Sequence, residues 1–344
     1  MKRLTAIDIA KAIGIILVVI GHYHPDNGPR WYEFINSLIY SFHMPLFMFA
    51  SGYVYIATKR SEESYGTFIY KKIKRLMIPY FTVSILIVTL KLLTQNGMEV
   101  EHPVTPLSYL KLFYSPEAGY FLWFIWALWN IFLVMPLFKT TISRTILFIV
   151  SLLINFVPLT WLPSTFCVGQ SLLMLQYFMW GALIYERQSW IKERSKIETS
   201  IAWIIFLGLF TTNWLYPSFF TNSASLKMAL AYLGIYCAYL LSVKLANGWQ
   251  WLSKPLLTVA ASSYIIYLFH TTFEGFAKAL LHKLTPILAD PHQSLLFGIG
   301  AVLVIACGLI VPVLLHRYVL TRYQILQFLF GLKPNKAKHI KLNY

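Results

Sequence analysis

Apolar runs close to the ~20 residues that a helix needs to cross a bilayer recur along the whole chain. They cover 6–23, 34–56, 76–94, 120–138, 145–162, 169–185, 199–216, 226–243, 255–275 and 294–315. Short polar stretches rich in Lys and Arg separate them. The pattern predicts an all-α, polytopic membrane protein of about ten transmembrane helices, the second and ninth kinked or partly re-entrant. The longest connection, 95–119, is rich in Pro, Tyr and Glu and has no apolar period. No internal repeat is visible, which counts against an inverted-repeat transporter. The organisation expected is one transmembrane domain, 1–332, and a basic cytoplasmic tail, 333–344, lying on the anionic inner surface.

Charge adds orientation to this picture. Only 12% of the 344 residues are charged and 58% are hydrophobic, yet the formal net charge is +16. With the N-terminus inside, 22 of the 29 Lys and Arg fall on inner loops and tails, among them Lys59, Lys71, Lys74, Lys139, Arg144, Arg187, Arg317 and Arg322. That bias predicts an N-in, C-in protein of the cytoplasmic (inner) membrane and accounts for the basic balance without nucleic acid. Cys167, Cys237 and Cys307 are widely spaced and read as buried small hydrophobes. Lys2 and Arg3 resemble a signal n-region, but Lys11 interrupts the apolar run and no small-x-small site follows, so cleavage is not expected.

Ionisable residues inside such segments are costly and mark candidate sites. The first run, AIDIAKAIGIILVVIGHYH over Ala6–His24, carries Asp8, Lys11, His22 and His24. Lys11 and His22 lie three turns apart with about 20° of drift, so they share one stripe, roughly 16 Å apart along the axis. A cation at one depth and an imidazole at another suit a long ligand with an anionic head and a reactive far end. Asp8, one turn before Lys11, is placed to pair with it. His24, beside Pro25, reads as a loop residue.

Further candidates follow along the chain. His43 and Pro45 fall within the second run, where Ser51-Gly52 lets another helix approach closely. Lys72 and Arg75, three apart in FIYKKIKRLMIPY, would share a helical face and grip phosphates, or simply anchor the third helix at the inner surface. His270 and Glu274, four apart, would form a hydrogen-bonded pair, lining an acceptor side or only stabilising the bundle. Trp123, Trp126 and Trp129 read as an aromatic belt or a sugar-stacking face, and Asn130 as an interhelical donor. A metal site from His22, His24 and His43 lacks a carboxylate at ligand spacing, and no metal is expected.

These residues carry a resemblance. I-D-x-x-K-x-x-G-x-x-x-x-V-V-x-G-H in the first helix, F-H-M-P-L-F-x-F-x-S-G-Y over Phe42–Tyr53 and F-x-x-K-K-x-K-R-L-x-x-P-Y at the third helix resemble membrane acyltransferase family 3, in its fucose 4-O-acetylase-like branch. Leu122-Trp123-Phe124, Tyr177-Phe178 with Gly181, and Ser263-Tyr264 through His270 are similar to later family features. Lys11 stands where much of the family has Arg, keeping the charge without the bidentate fork. The resemblance implies transfer of an acyl group, most often acetyl, from cytoplasmic acyl-CoA to a sugar hydroxyl on a lipid-linked or surface glycan. Lys72, Arg75 and Lys11 would hold the donor, and His22 would be the general base or a transient acyl carrier. Asp8 would orient Lys11, and His43, His270, Glu274 and Trp123 would lie on the substrate side. An appended esterase-like domain is not expected. A transporter or flippase for an anionic or lipid-linked substrate remains open as the alternative, although it has no need of the cation–imidazole stripe.

Overall fold

The computed structural model describes residues 4–25, 28–59, 63–95, 102–187, 195–217, 223–248 and 250–333. Among these, fourteen α-helices and no strands form. They are α1 Thr5–His22, α2 Arg30–Tyr40, α3 His43–Thr58, α4 Tyr65–Lys72, α5 Ile78–Thr94, α6 Ser108–Lys111, α7 Trp123–Val134, α8 Thr141–Ile154, α9 Val168–Arg187, α10 Lys196–Leu215, α11 Ala224–Gly248, α12 Gln250–Leu284, α13 Ser294–Leu315 and α14 Gln324–Leu329. The tail beyond Lys333 and the loop cations Arg60, Lys192 and Arg194 lie outside the described residues.

Among the described residues, seven helical segments are long and apolar enough to cross a bilayer. The other three expected runs do not meet that measure in one piece. Run 34–56 divides into α2 and α3, and the break falls at Ser41-Phe42, where Pro45 in the first turn of α3 has no N–H to continue the ladder from α2. Run 145–162 yields only the 14 residues of α8. Run 199–216 forms α10 at full length but mixes Glu198, Thr211, Thr212 and Asn213 into its apolar sequence. The ninth run is not kinked into two: α12 is one continuous 35-residue helix, with Pro255 near its start.

The third helix departs from simple α geometry. Between α4 and α5 the backbone widens into a π turn over Ile73–Met77, so 65–94 is one long helix with a bulge at its basic end. Outward faces are apolar: Ile146, Ile149 and Leu153 on α8, Ile201, Ile204 and Ile205 on α10, and Val302, Leu303 and Ile310 on α13 are all exposed. Faces of this breadth and composition suit hydrocarbon rather than water.

Helix order sorts the polar groups to two ends. At one end the C-terminal part of α3 and the N-terminal part of α8 meet the end of α9. There Arg144 is buried, donates to the Phe138 and Lys139 carbonyls at 2.8 Å, and pairs with Glu186. Lys59 feels both members of that pair. At the other end the last residue of α1, His22, meets α12, and the first of α3, His43, acts on it electrostatically. Since α3 runs from His43 to the basic end, the start of α1 also lies toward the basic end.

The connection 95–119 is tied down where it is described. Tyr80 donates its hydroxyl toward the Leu112 and Ser115 carbonyls at 2.9 and 2.8 Å. Phe166 and Cys167 sit at positive φ, 59° and 52°, a conformation that costs a non-glycine residue energy and must be held by neighbours. Asn130 is one such neighbour, donating to the Phe166 carbonyl at 2.8 Å and to Ser171 at 2.9 Å, the interhelical role its position in the sequence suggested. Asn130→Ala is expected to lower stability by about 1–2 kcal/mol, read as an earlier thermal transition in detergent; an unchanged transition would show that the strained turn holds itself.

Candidate active site

The first helix ends because Tyr23, His24 and Pro25 leave helical geometry, and the final turn presents His22 half-buried at its C-terminus. His24 is exposed in the following loop, as its place beside Pro25 implied. Against His22 stands His270 of α12, ring centroids 4.8 Å apart in an edge-on arrangement. Phe121 completes the triangle, 6.1 Å from His22 and 5.4 Å from His270, both edge-on. A short 3-10 turn, Tyr120–Leu122, positions Phe121, and the Tyr267 hydroxyl fixes that turn by donating to the Phe121 carbonyl at 2.6 Å.

Hydrogen bonds decide how two of the imidazoles are protonated when neutral. The Nδ1 of His270 faces the Ile266 and Tyr267 carbonyls at 3.1 and 2.8 Å. A carbonyl only accepts, so Nδ1 carries the proton and Nε2 holds a bare lone pair. His43 repeats the device, its Nδ1 donating to the Ile39 carbonyl at 2.9 Å. His22, His43 and His270 lie close enough to act electrostatically on one another.

Below the imidazoles the interior is aromatic. Tyr267 packs on Phe124 at 5.9 Å, Phe124 on Phe47 at 6.0 Å, and the Phe47 ring would lie 3.0 Å from a Cβ placed on Gly14 of α1. Gly14 is three residues beyond Lys11. Lys11 itself bonds Asp8 at 3.0 Å, the pairing that the sequence spacing indicated. Ring contacts thus run from Phe47, beside Gly14, through Phe124 and Tyr267 to Phe121 and His22.

The second basic group is arranged differently from its expectation. Lys72 turns inward and sets its ammonium 3.5 Å from the centroid of Phe132 and 5.1 Å from that of Phe68, a cation–π seat. Arg75 is exposed, beside Gly331, whose Cβ would lie 3.1 Å from its Cα. The π turn Ile73–Met77 begins between them and shifts the helical phase from the α geometry that the i,i+3 spacing assumes. They remain close enough to interact electrostatically.

An acyltransferase domain model matches residues 4–317. The chain belongs to that family. Two curated proteins also match, both named nodulation protein NolL. The one from Mesorhizobium japonicum is 30% identical over 60% of this chain and 57% of its own length. The other, from Sinorhizobium fredii, is 31% identical over 44% of this chain and 42% of its own length. The chain thus spans about half the length of these relatives. No solved structure matches. Family membership and the seven apolar helices make this acyltransferase a multi-pass membrane protein.

Within the acyltransferase, other expected residues separate into those the fold gathers and those it does not. His22, His270 and His43 come together. The expected hydrogen-bonded pair between His270 and Glu274 does not form: His270 spends its Nδ1 on its own helix, and its Nε2 and Glu274 Oε1 are both buried without a partner. Glu274 instead fills the space above Gly308 of α13, where a Cβ would meet its Cγ at 2.7 Å. Trp123 makes its ring contact with Phe124, at 6.1 Å, rather than with the imidazoles. Among the described residues no three His, Cys, Asp or Glu converge as metal ligands would. Phe121 and Asn36 were not singled out by the sequence. Asn36 lies one turn after Tyr32 on α2, fully buried with neither amide atom bonded. An isolated Asn in an otherwise amphipathic helix was the signal available for it.

Proposed function

We propose that this acyltransferase moves an acyl group, acetyl first, from a cytoplasmic acyl-CoA to a sugar hydroxyl of a lipid-linked or cell-surface glycan. In this reading the chain crosses the inner membrane ten times with both termini inside, α2–α3, α8 and α10 supplying the three crossings beyond the seven long segments. Lys72 and Arg75 hold the phosphates of the donor, with Lys11 deeper in the bundle and oriented by Asp8. The thiol-bearing arm extends along Phe47, Phe124 and Tyr267. His22 takes the proton of the attacking hydroxyl; the oxygen forms its bond to the thioester carbonyl carbon, the C–S bond breaks, and the thiolate leaves to be protonated. His43, His270 and Glu274 face the acceptor, and Trp123 supports that wall through Phe124.

The observation that supports this most is the shared line on α1: a cation, an aromatic-walled stretch, then an imidazole set among acceptor-bearing neighbours. Mass spectrometry of surface glycans from cells with and without the protein tests the reading. An acyl group that appears only with the wild-type protein is the expected result, and indistinguishable glycans would overturn it. The donor site has its own test. Lys72→Ala with Arg75→Ala is expected to weaken acetyl-CoA binding by roughly tenfold or more in titration of the purified protein. Unchanged affinity would remove this pair from the donor site.

A further inference from the structure

Beside His22, α12 presents two polar atoms whose hydrogen-bonding capacity is unused. His270 is 0% exposed and Glu274 5%, and one helical turn separates them. The Nε2 of His270 is an acceptor by the tautomer argument above, so it can be satisfied only by a donor. Glu274 Oε1 likewise has no partner. Buried polar groups in native proteins are overwhelmingly bonded, and two orphans on one face beside a reactive imidazole mark a place where a ligand supplies the missing bonds. The surroundings preserve room for this. Gly308 leaves the space in which the Glu274 side chain lies, and Val19 of α1, one turn before His22, borders the same gap. Ring contact at 4.8 Å holds His270 within one hydroxyl's reach of whatever His22 acts on.

We propose that His270 and Glu274 form a second hydroxyl subsite, so that the acceptor is read as a vicinal diol: one hydroxyl reacts at His22 while its neighbour donates to His270 Nε2 and accepts from Glu274 in its acid form. This rests on the transferase reading above and names the class of acceptor it takes. His270 acts here by positioning. The proton leaving the reacting hydroxyl still goes to His22, and the second hydroxyl keeps its own. A lone alcohol satisfies His22 and leaves His270 Nε2 unbonded; a diol satisfies both. Sites built to bond a hydroxyl discriminate strongly against analogues that lack it, because the site's own polar groups are stranded.

The test uses the full-length protein in detergent with acetyl-CoA, offering cis-cyclohexane-1,2-diol or cyclohexanol and reading the ester by mass spectrometry. Wild type is expected to acetylate the diol at least about tenfold faster than the monohydric alcohol. His270→Leu and Glu274→Leu are expected to bring that ratio toward one, whatever the absolute rates, and His270→Gln, which restores an acceptor near the Nε2 position, to recover part of it. A purely structural role for His270 would change rates without changing the ratio. Equal acetylation of the two alcohols, no acetylation of either, or a full preference retained by His270→Leu overturns the subsite. Should the leucine variants fail to fold, His270→Phe and Glu274→Met, which keep the bulk and remove the polar atoms, carry the comparison, and a wild-type ratio in both counts against the subsite. The two readings fail separately: glycans unchanged by the protein defeat the transferase itself, whereas glycan acylation that proceeds alongside indifference to the second hydroxyl defeats only the diol.

Discussion

Replacing His22 with alanine is expected to lower acyl transfer by about 10²–10⁴-fold while leaving acetyl-CoA affinity within about twofold of wild type. The size follows from what a positioned base contributes to proton removal in the transition state. The separation of the two effects follows from geometry: His22 closes α1 at the imidazole end, whereas the basic pair of 72 and 75 lies at the other. His270 does not replace it. Its Nδ1 is committed to two carbonyls of its own helix, and on the reading above its Nε2 is occupied by the second hydroxyl, which keeps its proton. Single-turnover transfer and donor binding measured on the same preparation check the prediction. Wild-type turnover in His22→Ala would sink the mechanism, and loss of donor binding along with turnover would mean that His22 holds the bundle together instead.

The largest structural effect is expected at the α3–α9 contact. A Cβ on Gly52 would overlap the Phe178 carbonyl, and one on Gly181 would overlap the Phe49 carbonyl. The two glycines thus admit each helix to the other's backbone, the close approach that helix association in lipid exploits. Valine at position 52 has nowhere to go, because its neighbour is backbone rather than a movable side chain. Gly52→Val is expected to cost about 3 kcal/mol or more and to abolish a monodisperse folded peak in detergent. Gly208→Val is the control: a Cβ at Gly208 of α10 meets nothing within 4 Å, and the peak is expected to persist. Equal behaviour of the two variants would show that the interface yields.

What the sequence made legible was local. Asp8 and Lys11 pair because three residues on a helix are neighbours, and Ser51-Gly52 announces a close approach because small residues permit little else. Asn130 bonds Ser171 of α9 and the turn before it, as a half-buried amide in an apolar segment gains by doing. What remained hidden is non-local or concerns backbone phase. Nothing in a periodic apolar run says that Phe121 comes to stand between His22 and His270, which depends on how α1, α7 and α12 pack. The i,i+3 rule placed Lys72 and Arg75 on one face and assumed α geometry, which the π turn replaces. The i,i+4 rule brought His270 and Glu274 near in the same way. It did not foresee that His270 would turn its donor to carbonyls of its own helix, or that Gly308 would draw Glu274 toward α13. Hydropathy marked α8 as spanning although its helix ends at Ile154, because apolar character continues into 156–162 after the backbone has turned.

The contact between Gly331 and Arg75 bears on how the enzyme is born. Gly331 sits at φ +64° with a Cβ position 2.8 Å from Pro79 and 3.1 Å from the Arg75 carbonyl, and Phe330 packs tilted against Phe269 of α12 at 5.4 Å. The basic turn near the start of the third helix is therefore buttressed by residues that leave the ribosome some 250 positions later. A nascent chain whose early helices have already entered the bilayer still lacks the residues that pack against this basic turn. On the donor reading proposed above, a product that terminates before Phe330 would sit in the membrane without the support of its phosphate-holding turn.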